Sequence, residues 1–73
     1  MDPLSQRILE LFKQMNEESL DLHTLFEAGG NDPNAREQVV DKVEKLTRQD
    51  YLESLGSDFY RLTVKGREII SKK

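Results

Sequence analysis

Apolar residues recur along this chain with a period that changes near Tyr51. Leu4, Ile8, Leu11, Phe12 and Met15 have the spacing of one buried stripe on an amphipathic helix. Asp2 precedes them as a cap. Pro3 suits the first helical position, where an amide hydrogen would have had no partner. The polar run Asn16 to Ser19 ends the helix. Asp21 predicts a second cap, opening a short helix from Leu22 to about Ala28 with Leu22, Leu25 and Phe26 on one face and Gly29-Gly30 as its stop. A third start follows in "NDPNAREQ", with Asp32 as cap and Pro33 in the first turn. Ala35, Val39, Val43 and Leu46 then stand at helical spacing, with Val40 flanking. This predicts a helix over 33–49 whose opposite face carries Asn34, Glu37, Gln38, Asp41, Lys45 and Arg48.

Beyond it the period shortens. Tyr51, Leu52 and Leu55 are strand formers, Gly56-Ser57-Asp58 is turn chemistry, and Phe59, Tyr60 and Leu62 make a return strand. Thr63 caps a last helix from Val64 to about Ser71, with Val64, Ile69 and Ile70 apolar and Gly66 where the helix would lie very close to a neighbour. The expected fold is mainly α with a small β-hairpin, in the order α-α-α-β-β-α, as one domain over 1–73. A two-stranded hairpin is marginal in water by itself, so this one must lean on the helices. With 73 residues, 36% of them hydrophobic, the chain supports one thin core, to which self-association would add stability.

Composition narrows the chemistry. There is no cysteine and one histidine, His23, which removes disulfides, thiolate nucleophiles, cysteine-based zinc sites and paired-histidine metal motifs. No Gly-rich phosphate loop and no Ser-His-carboxylate set is visible, so neither catalysis nor a cofactor is expected. His23 is expected to face solvent. No apolar run approaches the roughly 20 residues of a membrane span, and the N-terminus intersperses charge, so a soluble cytoplasmic protein is expected. The net charge of -3 argues against indiscriminate polyanion binding. Its distribution matters more. Up to Ala35 there are two basic and seven acidic residues, and from Arg36 onward nine basic and seven acidic, so the two halves differ in sign.

The segments "VVDKVEKLTRQDYLES" and "FYRLTVKGREII" resemble the recognition helix, wing and following helix of MarR-like and PadR-like transcriptional regulators. The pattern Tyr-x-Leu-Thr-x-x-Gly, which marks the second wing strand turning into a helix in those families, is matched by Tyr60, Leu62, Thr63 and Gly66. The resemblance implies a winged helix-turn-helix that binds duplex DNA, with helix 33–49 in the major groove and the wing beside the phosphate backbone, as a symmetric homodimer through the terminal helices. By position, Asn34, Arg36, Gln38 and Lys45 become the expected groove contacts, and Arg61, Lys65 and Arg67 the backbone contacts. Asn and Gln can pair bidentately with adenine, and Arg and Lys with guanine or phosphate. Leu9, off the main stripe, and the Ile69-Ile70 pair are the expected apolar surface of the dimer.

A second reading stays open at this stage: a winged-helix protein-interaction module that does not bind DNA. Asp58 stands at the hairpin tip, and Glu37, Asp41 and Glu44 lie on or near the face that would meet phosphate. The charge alternation of helix 33–49 also suits a solvated face, with Asp41 and Lys45 four apart as an ion pair. Tyr51, Phe59 and Tyr60 are expected in wing and core packing, and Ser71-Lys72-Lys73 as a solvated end.

Overall fold

The computed structural model describes residues 1–71. Lys72 and Lys73, part of the expected solvated end, lie outside that range. Along the chain run α1 (Pro3–Gln14), β1 (Ser19–Asp21) and α2 (Leu22–Leu25). Two 3-10 turns (Phe26–Gly29 and Pro33–Ala35) lead to α3 (Arg36–Arg48), and β2 (Leu52–Gly56), β3 (Phe59–Leu62) and α4 (Val64–Ser71) follow. The fold is mainly helical with a small antiparallel sheet of three strands in the order β1-β3-β2.

The expected order α-α-α-β-β-α therefore lacked a strand. β1 is three residues long, too short for a period to register, and only Leu20 in it is buried. Its existence depends on β3, against which Ser19 pairs with Arg61, Leu20 with Tyr60 and Asp21 with Phe59. β1 is what relieves the hairpin of standing alone: a third strand and a buried face are the supports a two-stranded ribbon lacks. The Leu62 amide donates to the Glu18 carbonyl at 3.0 Å and the Leu22 amide to the Asp58 carbonyl at 2.7 Å, extending that connection at both ends.

Both caps of the first and last helices form as the sequence predicts. Asp2 accepts from the Ser5 amide at 3.2 Å and from the Ser5 hydroxyl at 2.6 Å, which gives a partner to the one polar side chain that is buried among the described residues. The Thr63 hydroxyl accepts from the Gly66 amide at 3.0 Å. α1 and α3 end alike, and without glycine. Asn16 and Asp50 take the left-handed conformation (φ 54° and 68°). The following amides, of Glu17 and Tyr51, reach back to the carbonyls of Phe12 at 3.0 Å and Leu46 at 2.9 Å. This six-to-one bond satisfies a carbonyl that a helix end otherwise leaves free. The third helix is also shorter than 33–49, because Pro33 to Ala35 wind as a 3-10 turn before α3 proper begins at Arg36.

The core draws on every element but the second 3-10 turn: Ile8, Leu9 and Phe12 from α1, Leu20, Leu25 and Ala28, then Val39, Val43 and Leu46 from α3, with Leu52, Leu62 and Ile70. The stripe on α1 is rotated from the expected one. Leu9 is 0% exposed, Ile70 is 6% exposed and Met15 is 43% exposed. Because α1 packs against α3, α4 and the Phe26–Gly29 turn, its inward arc is centred on Ser5, Ile8, Leu9 and Phe12. Leu9 and Ile70 are thus core and not free dimer surface. Gly66 performs the close approach expected of it. A Cβ there would lie 2.3 Å from the Tyr51 carbonyl oxygen, so α4 sits against the backbone that opens the hairpin.

Candidate nucleic-acid interface

The outer face of α3 follows from its inner one. Burying Val39, Val43 and Leu46 turns Glu37, Gln38, Asp41, Glu44, Lys45 and Arg48 outward, all of them exposed. The lead-in is held from two sides. Asp32 accepts from the Asn34 amide at 2.9 Å, and at Gly29 a Cβ would come within 3.0 Å of the Ala35 Cβ, so the preceding turn lies directly on the start of α3. Asn34 is exposed on this lead-in, immediately before Arg36 and Gln38.

The seven expected contact residues do not form one surface. Asn34, Arg36, Gln38 and Lys45 lie on α3 or its lead-in. Lys65 donates to the Gln49 carbonyl at 2.9 Å and its ammonium sits 4.8 Å from the centre of the Tyr51 ring, which makes it a tie between α4 and the end of α3. Arg61 donates from Nε to Glu53 at 2.8 Å across the hairpin, an exposed pair. Arg67 lines a separate groove with Phe12, Lys13, Asn16, Glu17 and Glu18, which contains no residue of α3.

Partners also account for other cations. The Arg36 guanidinium lies 5.4 Å from the Phe26 ring centre, and Lys42 Nζ is 3.8 Å from Asp2. Lys45 and Arg48 form no ion pair among the described residues, and the expected Asp41–Lys45 bridge is not made. At three residues apart the two cations are neighbours on the helix surface. They are the least committed positive charge on α3.

Arg48 was not among the expected contacts, although the periodicity had placed it on the outer face. Only the packing of α3 beside the sheet shows its setting. Arg48, Glu44 and Thr47 line a groove of about 320 Å³ whose other wall is Ser54 and Tyr60. Ser54 and Tyr60 are paired across β2 and β3, so both present to the same side of the sheet. A guanidinium, the Ser54 and Tyr60 hydroxyls, which have no hydrogen-bond partner among the described residues, and one carboxylate make a groove able to donate to an anionic oxygen beside a helix face. Tyr60 is half-buried against the core, as expected, whereas Phe59 is exposed.

Two carboxyls near the ends of short elements are held below their ordinary values. Asp2 is lowered chiefly by the Ser5 hydroxyl, and Asp21 chiefly by the Thr24 hydroxyl, which donates to it. His23 is exposed, as expected. Among the described residues no group of three acidic or histidine side chains is arranged to hold a metal ion, and no helix is long and apolar enough to cross a membrane. Comparison with protein-family models, with curated proteins and with solved structures gives no significant match.

Proposed function

We propose that this chain is a winged-helix domain that binds duplex DNA through the outer face of α3. The observation that supports the reading is the arrangement of elements: α3, reached from the short α2 through two 3-10 turns, exposes an entirely polar face beside a three-stranded sheet of order β1-β3-β2. A face of long polar side chains with no exposed apolar residue suits an aqueous groove lined with hydrogen-bonding base edges. Gln38 has the amide geometry for adenine, and Lys45 and Arg48, which form no ion pair among the described residues, offer charge to phosphate or guanine. Arg61 and Lys65, already bonded within the chain, are given no part in this contact. Nor is Arg67, which lies on another groove. If the domain dimerises, the apolar surface available to it toward the C-terminal end of α1 is Leu11 and the capping Met15, four residues apart, in place of Leu9.

The reading is tested by titrating a mixed-sequence duplex across salt concentrations. Affinity should fall linearly on a logarithmic plot, with a slope of about -0.9 for each phosphate neutralised. Lys45→Glu with Arg48→Glu should abolish binding, while Arg67→Glu should leave it unchanged. Failure to bind any duplex at low salt would overturn it.

A further inference from the structure

The tip of the hairpin sets two exposed apolar side chains beside two carboxylates. Ser54 pairs with Tyr60 and Gly56 with Phe59, leaving Leu55 as the extra residue of a bulge, so Leu55 and Gly56 together oppose Phe59. Leu55 is 49% exposed and Phe59 46% exposed, and neither joins the core cluster. Two carboxylates stand beside them: Asp58 in the turn, and Asp21, which is the partner of Phe59 on β1. The nearest cation on the strands, Arg61, is taken up by Glu53.

We propose that this tip docks a cationic segment of a partner protein that carries an apolar anchor. Leu55 and Phe59 form an apolar spot that gains by leaving water, and an aromatic residue at such a spot is the usual energetic centre of an interface. Charge selects the occupant. Duplex DNA or an anionic lipid surface would bring negative charge onto Asp21 and Asp58, and a second copy meeting tip to tip would bring four carboxylates together. A segment with lysine or arginine flanking a leucine or phenylalanine meets both features at once, with complementary sign. The docking surface is separate from the α3 face and does not depend on the DNA reading.

The test uses the full chain, isotope-labelled, titrated with the peptide Lys-Arg-Leu-Phe-Arg-Lys and followed by amide chemical shifts. Shifts centred on Leu55 to Phe59 and on Asp21 are expected, weakened by added salt and absent with Glu-Glu-Leu-Phe-Glu-Glu. Phe59→Ser and Asp58→Lys should each weaken the basic peptide about tenfold or more, with the remaining amide spectrum unchanged. Shifts centred instead on Glu37, Asp41 and Glu44, an equal response to the acidic peptide, or undiminished binding by both variants would overturn the proposal. Phe59→Ser should bind duplex DNA like the parent chain, so loss of one reading leaves the other standing.

Discussion

The outer face of α3 and the tip of the hairpin are both solvent-exposed, yet they sort their residues in opposite ways. On α3 every large apolar side chain is turned at least partly inward, and the exposed positions carry acids, bases and one amide. At the tip, Leu55 and Phe59 stand in solvent beside two aspartates. The difference lies in the two periods. A helix of 3.6 residues per turn can place a whole apolar stripe against one neighbour. A strand alternates, so with Leu52 and Leu62 turned to the core the residues on the other side of the ribbon, Leu55 and Phe59 among them, face outward. The helical surface is therefore informative through its charges, and this hairpin through the apolar residues its alternation leaves outside.

Both surfaces rest on shared supports, and substitutions in those supports should affect them together. The largest effect is expected for Leu46→Ala, which opens a cavity beneath the outer face of α3. A loss of about 2–5 kcal/mol, measured by denaturant unfolding, would leave a domain of this size largely unfolded, and neither proposed binding would then be seen. Next comes Gly66→Ala. Its Cβ would meet the Tyr51 carbonyl, which cannot retreat without shifting the root of β2. Overpacking of this kind costs about 1–3 kcal/mol, and amide shifts should spread from Tyr51 into the hairpin while the middle of α3 stays put. A perturbation confined to α3 would contradict the account of α4 as the hairpin's anchor.

Thr63→Ala comes third. It removes the cap of α4 together with the hydroxyl bond to the Asp50 carbonyl at 2.6 Å, at a cost of about 0.5–2 kcal/mol. Smaller again is the dependence on acid. Asp2 and Asp21 are both held below the ordinary 3.8, so the stability they contribute is complete above about that pH and is lost as pH falls through their lower folded values. Unfolding midpoints should decline below pH 3.8, and Asp2→Asn with Asp21→Asn should flatten the decline. The smallest effect separates the two surfaces. Leu55→Ser and Phe59→Ser, being half-exposed and outside the core, should change stability by no more than about 0.5 kcal/mol, with any consequence confined to partner binding.

Much of the framework was legible from local signals. Asp2-Pro3, Asp32-Pro33 and Thr63 each announced a helix or turn start within a residue or two. Gly56-Ser57-Asp58 located the turn, where Ser57 and Asp58 both adopt positive φ as a tight hairpin demands. Gly66 was legible as a close approach. What escaped were features whose cause lies far along the chain. β1 forms because β3, some forty residues later, offers it a partner, and three residues of Ser-Leu-Asp carry no period of their own. Leu9 looked like surface because its burial depends on α4 and α3 closing over both flanks of α1. Among the candidate contacts, the resemblance nominated Arg61 and Lys65 by position, but their hydrogen bonds to Glu53 and to Gln49 are made across elements and leave no trace in the local sequence.

By itself the sequence determined where helices start, where the chain turns, which face of α3 is polar, and that no cysteine chemistry operates. These follow from the backbone preferences and side-chain spacing of neighbouring residues. Tertiary structure alone decided the third strand, the rotation of the α1 stripe, the grouping of Arg48 with Ser54 and Tyr60, and the exposure of Leu55 and Phe59. Each of these depends on register or packing between segments distant in sequence. A neighbouring helix or strand can cover a side chain, or leave it uncovered, without altering any local pattern.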